Sequence, residues 1–129
     1  MSTAKVRAAL SAALMGATMG VVGLSGAGTA AAAAPCWYSG GHWWCNNVSG
    51  AAVYDYNRDT ARAYPDPAHI AGRMYSNPSW FDCRIENVST GGGGPHPNRW
   101  IWTKADNGAW GWMKDSAIYS ETNSLPACW

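Results

Sequence analysis

The chain has 129 residues, with nine Lys or Arg against eight Asp or Glu and a formal net charge of +1. A near-neutral balance with no basic run excludes an electrostatic nucleic-acid interface and an electrostatic membrane anchor. Nine tryptophans, six tyrosines, one phenylalanine and four cysteines point instead to a small cross-linked domain built from rings, broken by 15 glycines into short segments.

Lys5 and Arg7 precede an uncharged run over residues 8–28, and small residues follow as far as Ala34. This is the layout of a secretory signal peptide, so residues 1–33 are expected to be removed, with cleavage after Ala32 or Ala33. Cutting after Ala34 would set Pro35 just past the scissile bond. A membrane span is disfavoured because the run is rich in Ala and Gly and meets no stop-transfer charge. Pro35 before Cys36 also argues against lipid attachment. Loss of Lys5 and Arg7 takes the basic residues from nine to seven against eight acidic ones, a mature charge near −1. The remainder, about 95 residues, makes a single domain with a marginal core that needs reinforcement. In an exported chain an even cysteine count reads as disulfides. The mature protein is expected to be a secreted monomer, associated at most with the cell wall, with no membrane or nucleic-acid partner.

Residues 34–50 form the first unit. Cys36-Trp37-Tyr38-Ser39-Gly40-Gly41-His42-Trp43-Trp44-Cys45 reads as a hairpin about Gly40-Gly41, with Ser39 facing His42, Tyr38 facing Trp43 and Trp37 facing Trp44. Hydrogen-bonded and non-hydrogen-bonded pairs alternate away from the turn, so Cys36 and Cys45 fall on a non-hydrogen-bonded pair with Cα atoms about 4.5 Å apart. That is within disulfide range and predicts Cys36–Cys45, leaving Cys83–Cys128 by elimination. Chain-entropy estimates give about 2.7 kcal/mol for the short loop and about 4 kcal/mol for the long one.

Ala51 to Tyr56 reads as a strand with Val53 inward, followed by a polar loop from Asn57. Residues 61–64 are a short extended piece stopped by Pro65 and Pro67, which remove backbone donors. Residues 69–75 read as a strand and 76–79 as a turn. Residues 80–88 read as one strand with Phe81, Cys83 and Ile85 on one face. Residues 89–98, with Gly91 to Gly94 and Pro95-His96-Pro97, are a long flexible loop with no capacity to pack. Two sequons, at Asn47 and Asn87, are read as turn chemistry.

Residues 99–114 are the centre of the chain. Asn107-Gly108 between alternating runs predicts a two-residue type I′ hairpin. That register pairs Lys104 with Gly111, Thr103 with Trp112 and Trp102 with Met113. It sets Trp100, Trp102 and Met113 on one face and Ile101, Thr103, Trp110 and Trp112 on the other; a three-residue loop with a bulge would change this. Residues 115–119 carry a 3₁₀ turn ahead of a last strand at 118–120, and residues 121–129 are a tail tied by Cys128.

Short strands with closely spaced turns imply an all-β barrel or sandwich. The order of motifs resembles the bacterial SH3-like domain: Ala61-Arg62-Ala63-Tyr64-Pro65-Asp66-Pro67, then Ile70-Ala71-Gly72-Arg73-Met74, Trp100-Ile101-Trp102, Asn107-Gly108-Ala109-Trp110-Gly111-Trp112-Met113 and Ala117-Ile118-Tyr119. Gly111-Trp112-Met113 stands where that family carries Gly-Trp-Val. The resemblance covers residues 51–120 and implies a small SH3-like barrel, here preceded by the disulfide hairpin. It also implies a non-catalytic module that binds a cell-wall polymer or an extracellular peptide. The family's groove carries over to Tyr64, Trp110 and Trp112, with Trp80 and Trp100 as neighbours.

Catalysis is not expected, since no nucleophile motif, phosphate loop or metal spacing is present and no cofactor is implied. His42, His69 and His96 read as exposed loop residues, and Asp55, Asp59, Asp66 and Asp82 as turn or strand-end residues. The competing readings are a small secreted proteinase inhibitor presenting Pro65-Asp66-Pro67 or the 91–97 loop, and an antagonistic protein.

Overall fold

The computed structural model describes residues 33–129. The expected signal peptide lies outside the described residues. Eight strands are present among those described: β1 (Trp37–Ser39), β2 (His42–Cys45), β3 (Ala51–Tyr56), β4 (Pro65–Met74), β5 (Ser79–Phe81), β6 (Cys83–Ile85), β7 (Trp100–Lys104) and β8 (Trp110–Lys114). They form a three-stranded antiparallel sheet ordered β1-β2-β5 and a five-stranded antiparallel sheet ordered β4-β3-β8-β7-β6.

The first hairpin has the predicted register, Trp37 to Trp44, Tyr38 to Trp43 and Ser39 to His42. Gly40 and Gly41 both take positive φ, +59° and +85°, as a type I′ turn requires. Cys36 and Cys45 then meet at a Cα separation of 4.6 Å and are bonded, and Cys83 is bonded to Cys128.

The central hairpin differs from its expected register by one residue. Lys104 pairs with Trp110, Thr103 with Gly111, Trp102 with Trp112 and Ile101 with Met113. The loop is three residues long: the Gly108 amide donates to the Ala105 carbonyl at 2.8 Å and the Ala105 amide to the Ala109 carbonyl at 2.7 Å. Gly108 at φ +91° supplies the bulge, and Asn107 stays out of the left-handed region. Tertiary hydrogen bonds explain the choice. Asn107 Nδ2 donates to the Ala71 carbonyl at 3.0 Å, and Asp106 accepts from the Tyr75 and Ser76 amides at 2.9 and 3.1 Å and from Ser76 Oγ at 2.9 Å. The shift puts Trp100, Trp102, Trp110 and Trp112 on one face and Ile101, Thr103, Gly111 and Met113 on the other.

Each face has its own core. Ile101 and Met113 join Val53, Met74, Phe81 and Leu125 in one cluster, while Trp100 and Trp112 join Ile85 in a second, flanked by Tyr54, Tyr56 and Trp102. Burying an indole removes about 150–250 Å² from water, so Trp100 and Trp112 each contribute on the order of 4–6 kcal/mol as an upper bound.

Three other expectations are corrected. The chain does not stop at the prolines: Pro65 opens the ten-residue β4, which is tolerated because β4 is an edge strand. Its register jumps from Tyr54–Ile70 to Asp55–Asp66, so Pro67, Ala68 and His69 bulge out. Residues 80–88 are not one strand, because the chain changes sheets at Asp82; Phe81 enters the first cluster and Ile85 the second. Residues 118–120 are not a strand, since Ile118 makes only an isolated bridge to Asn47, although the 3₁₀ turn Asp115–Ala117 precedes it.

The 89–98 loop does pack at its base, where buried Thr90 bonds the Pro97 carbonyl through its amide at 2.9 Å and its hydroxyl at 2.7 Å. The five-stranded sheet is open, not a closed barrel, because its two edges are managed separately. The outer edge of β6 is taken by the tail, where the Arg84 amide donates to the Pro126 carbonyl and the Cys128 amide to the Arg84 carbonyl, both at 2.9 Å. At the other edge β4 carries Pro65 and Pro67, which cannot donate to a further strand.

The Asp106 contacts predict a measurable stability loss. Asp106→Ala should cost about 1–2 kcal/mol in urea titration, the side chain being exposed. Burial works against the Asp106 charge, but the Ser76 and Tyr75 bonds outweigh it and hold its carboxyl below the usual range. Its stabilisation is therefore present above the unfolded value, near 4, and is lost as pH falls through the lower folded value. The variant should show a shallower loss of stability with acid than the parent protein; an equal slope would remove Asp106 from the account.

Candidate functional site

The five ring residues named from the sequence do not form one groove. Trp100 and Trp112 are 0% and 1% exposed. Their indole N–H groups are spent inside, on the Val88 carbonyl at 3.0 Å and the Ala63 carbonyl at 2.7 Å. They hold the domain together and offer no face to a ligand. Tyr64 is 39% exposed but packs against Trp129, at 5.5 Å between centroids, and Trp129 in turn lies 6.0 Å from Trp112. The groove expected between Tyr64 and Trp112 is thus filled by the chain's own Trp129, over which the Arg62 guanidinium sits at 5.2 Å.

Trp80 and Trp110 are brought together, with centroids 5.6 Å apart at 64°. Trp80 rises from β5 in one sheet and Trp110 from β8 in the other, so the pair marks the junction of the two sheets. Trp110 is 39% exposed and Trp80 half-buried. His42 stacks on Trp80 at 4.6 Å and 24°, and Trp102 lies parallel to Trp110 at 5.8 Å and 16°. Trp102 also meets Trp112 at 4.8 Å and Tyr56 at 5.3 Å, so the outer rings rest on the buried ones. Among the described residues, the indole N–H groups of Trp80, Trp102 and Trp110 have no protein acceptor, unlike those of Trp44, Trp100 and Trp112.

Sequence reasoning missed Trp102, His42, Trp129 and Lys104. The corrected hairpin register would have found Trp102 and Lys104, which share the face of Trp110. Nothing local marks His42, which reaches the site only because β2 pairs with β5. Trp129 is placed by the Cys128 bond and the tail's pairing with β6.

The ionisable groups serve other ends. His69 Nδ1 lies 2.7 Å from Asp66 Oδ2 on the surface. His96 is half-buried rather than free in its loop, with Nε2 2.8 Å from Glu121 Oε2. Buried Arg99 donates from Nε to Glu86 at 2.9 Å and from Nη1 to Thr122 and Asn123, both at 2.9 Å, and Thr122 Oγ1 donates to Asp115. Burial pushes the Asp115 carboxyl up. Burial also opposes the Glu121 charge, but bonds from His96 and the Asn123 amide together with the Arg99 charge hold Glu121 below its usual value. The His96 and Arg99 contacts tie the end of the 89–98 loop to Glu86 and to residues 121–123 of the tail. Among the described residues no set of three His, Cys, Asp or Glu side chains is placed to hold a metal ion. Pro65-Asp66-Pro67, the segment expected to serve an inhibitor, begins edge strand β4.

Two disulfides with no free cysteine suit an oxidising, extracellular environment. Among the described residues no helix is long and apolar enough to cross a membrane. No family model matches the chain, and no curated protein or solved structure matches it either.

Proposed function

We propose that the chain is a secreted, non-catalytic binding module of the bacterial SH3-like type. It recognises a cell-wall polymer or an extracellular peptide through the aromatic surface centred on Trp80 and Trp110. One observation carries the reading: two neighbouring, partly exposed indoles with unused N–H groups lie over a layer of buried rings. Such rings offer apolar faces and donors at low conformational cost, which suits binding more than it suits a core. The motif order over residues 51–120 supports the SH3-like assignment, as does a five-stranded antiparallel sheet with a 3₁₀ turn after Gly111-Trp112-Met113. Trp129 packs between Tyr64 and the buried Trp112, which moves the binding surface away from the position that the resemblance implies.

The test is retention of the purified protein on isolated bacterial cell walls, with serine proteinases assayed in parallel. Trp110→Ala should lower the retained fraction about tenfold, the cost of losing one well-placed aromatic contact. Tyr119→Ala, which removes an exposed ring elsewhere, should leave it unchanged. Retention by Trp110→Ala equal to the parent would overturn the assignment of this surface. A slowed proteinase with no wall retention would favour the inhibitor reading.

A further inference from the structure

Beside the Trp80–Trp110 pair, between the tip of the β7–β8 hairpin and the β4–β5 turn, lies a cleft of about 380 Å³ lined by Trp44, Trp80, Pro78, Ser76, Lys104 and Asp106. Its size falls at the low end of small-ligand sites, about 300–1,000 Å³. Lys104 faces Trp110 across the hairpin, with Nζ 6.0 Å from the ring centroid, and makes no ion pair among the described residues. Its ammonium is a donor waiting for an acceptor. Asp106 is the counterpart. Its Oδ2 accepts from the Tyr75 and Ser76 amides and its Oδ1 from Ser76 Oγ alone, so of about four acceptor positions on a carboxylate one stays open. The same bonds fix the orientation of the carboxylate and keep it ionised, so that it can only accept.

The cleft therefore combines ring faces, a fixed acceptor and mobile donors within one small volume. A sugar ring matches all three: its C–H face stacks on indole, and each hydroxyl both donates and accepts. A peptide added as a strand would need unpaired backbone at the rim. There the Trp80 carbonyl is taken by Thr103 Oγ1 at 2.7 Å. The opposite charges of Lys104 and Asp106 cancel, which favours an uncharged ligand over an acidic or basic one.

We propose that this cleft holds a pyranose ring of a neutral glycan, stacked on Trp80, with one hydroxyl donating to Asp106 and another accepting from Lys104. This rests on the reading of the chain as a binding module and names the chemistry of its ligand.

The experiment is a titration of the ¹⁵N-labelled protein with the hexasaccharide of N-acetylglucosamine, following the indole N–H signals. A proline-rich decapeptide is titrated in parallel. The Trp80 signal should shift with the glycan, while those of Trp100 and Trp112, bonded to backbone carbonyls, stay in place. Lys104→Gln, an exposed substitution, should leave the unliganded spectrum intact and weaken glycan binding about tenfold, as expected for loss of one charge-assisted hydrogen bond. Absence of any shift, a glycan shift that Lys104→Gln does not alter, or a shift with the decapeptide alone would overturn the proposal. If cell-wall retention persists in those cases, the assignment of a glycan to this cleft falls and the module reading stands. If retention is lost as well, both fall.

Discussion

Gly111→Ala is expected to destabilise the domain by about 3–5 kcal/mol, a large part of the stability of a chain this size. A Cβ at that position would lie 2.2 Å from the Tyr54 carbonyl oxygen and 3.0 Å from Val53 Cγ1. The first of these is backbone, so no rotamer change relieves it. β3 and β8 would have to separate, and they are joined through a single register pair, Tyr54 with Trp112. Moving them opens both cores at once, because Val53 packs in one and Trp112 in the other. Two controls separate this clash from a general cost of losing glycine. Gly93→Ala meets nothing within 4 Å and should be close to neutral, and Gly108→Ala, at φ +91°, should cost roughly 1 kcal/mol for a left-handed backbone. Urea midpoints for the three variants test the ordering. A Gly111→Ala protein within about 1 kcal/mol of the parent would mean that the two strands are less closely apposed than described.

The double substitution Cys83→Ser with Cys128→Ser should cost about 4 kcal/mol, against about 2.7 kcal/mol for Cys36→Ser with Cys45→Ser, on the chain-entropy estimate. The bonds span 45 and 9 residues, which sets the order. The longer one also has a local consequence that the shorter lacks. Cys128 holds the tail along β6, and the tail carries Trp129 onto Trp112 and Tyr64. Releasing it should expose the Trp112 cluster to water, seen as a red shift of indole emission under conditions where the fold persists. Equal losses for the two pairs, or no emission change on losing Cys83–Cys128, would contradict the role given to the tail.

The aromatic surface shows how far local reading reaches. The sequence reads Tyr64, Trp80, Trp100, Trp110 and Trp112 all as candidate binding rings, yet only Trp80 and Trp110 come together at the surface. Whether an indole is a floor or a face depends on what packs above it. For Trp112 that is Trp129, which is distant in sequence. The use of each N–H group separates the two kinds: the buried indoles Trp100 and Trp112 bond to backbone carbonyls, whereas Trp80 and Trp110 do not.

Features governed by neighbours in sequence were legible without coordinates. The Gly40-Gly41 turn, the pairing of Cys36 with Cys45, the strand Ala51–Tyr56 with Val53 inward and the 3₁₀ turn after Lys114 each depend on backbone preferences within a few residues. The tertiary structure alone decided the register of the central hairpin, because Asn107 and Asp106 find their partners 36 and 30 residues away. It likewise decided the change of sheet at Asp82, the extension of β4 through two prolines at an open edge, and the cover over Trp112. A one-residue slip between strands moves every side chain to the opposite face. Asn107-Gly108 locally favours the two-residue loop, but Gly108 also serves the three-residue one, and a few long-range hydrogen bonds settled which face carries the tryptophans.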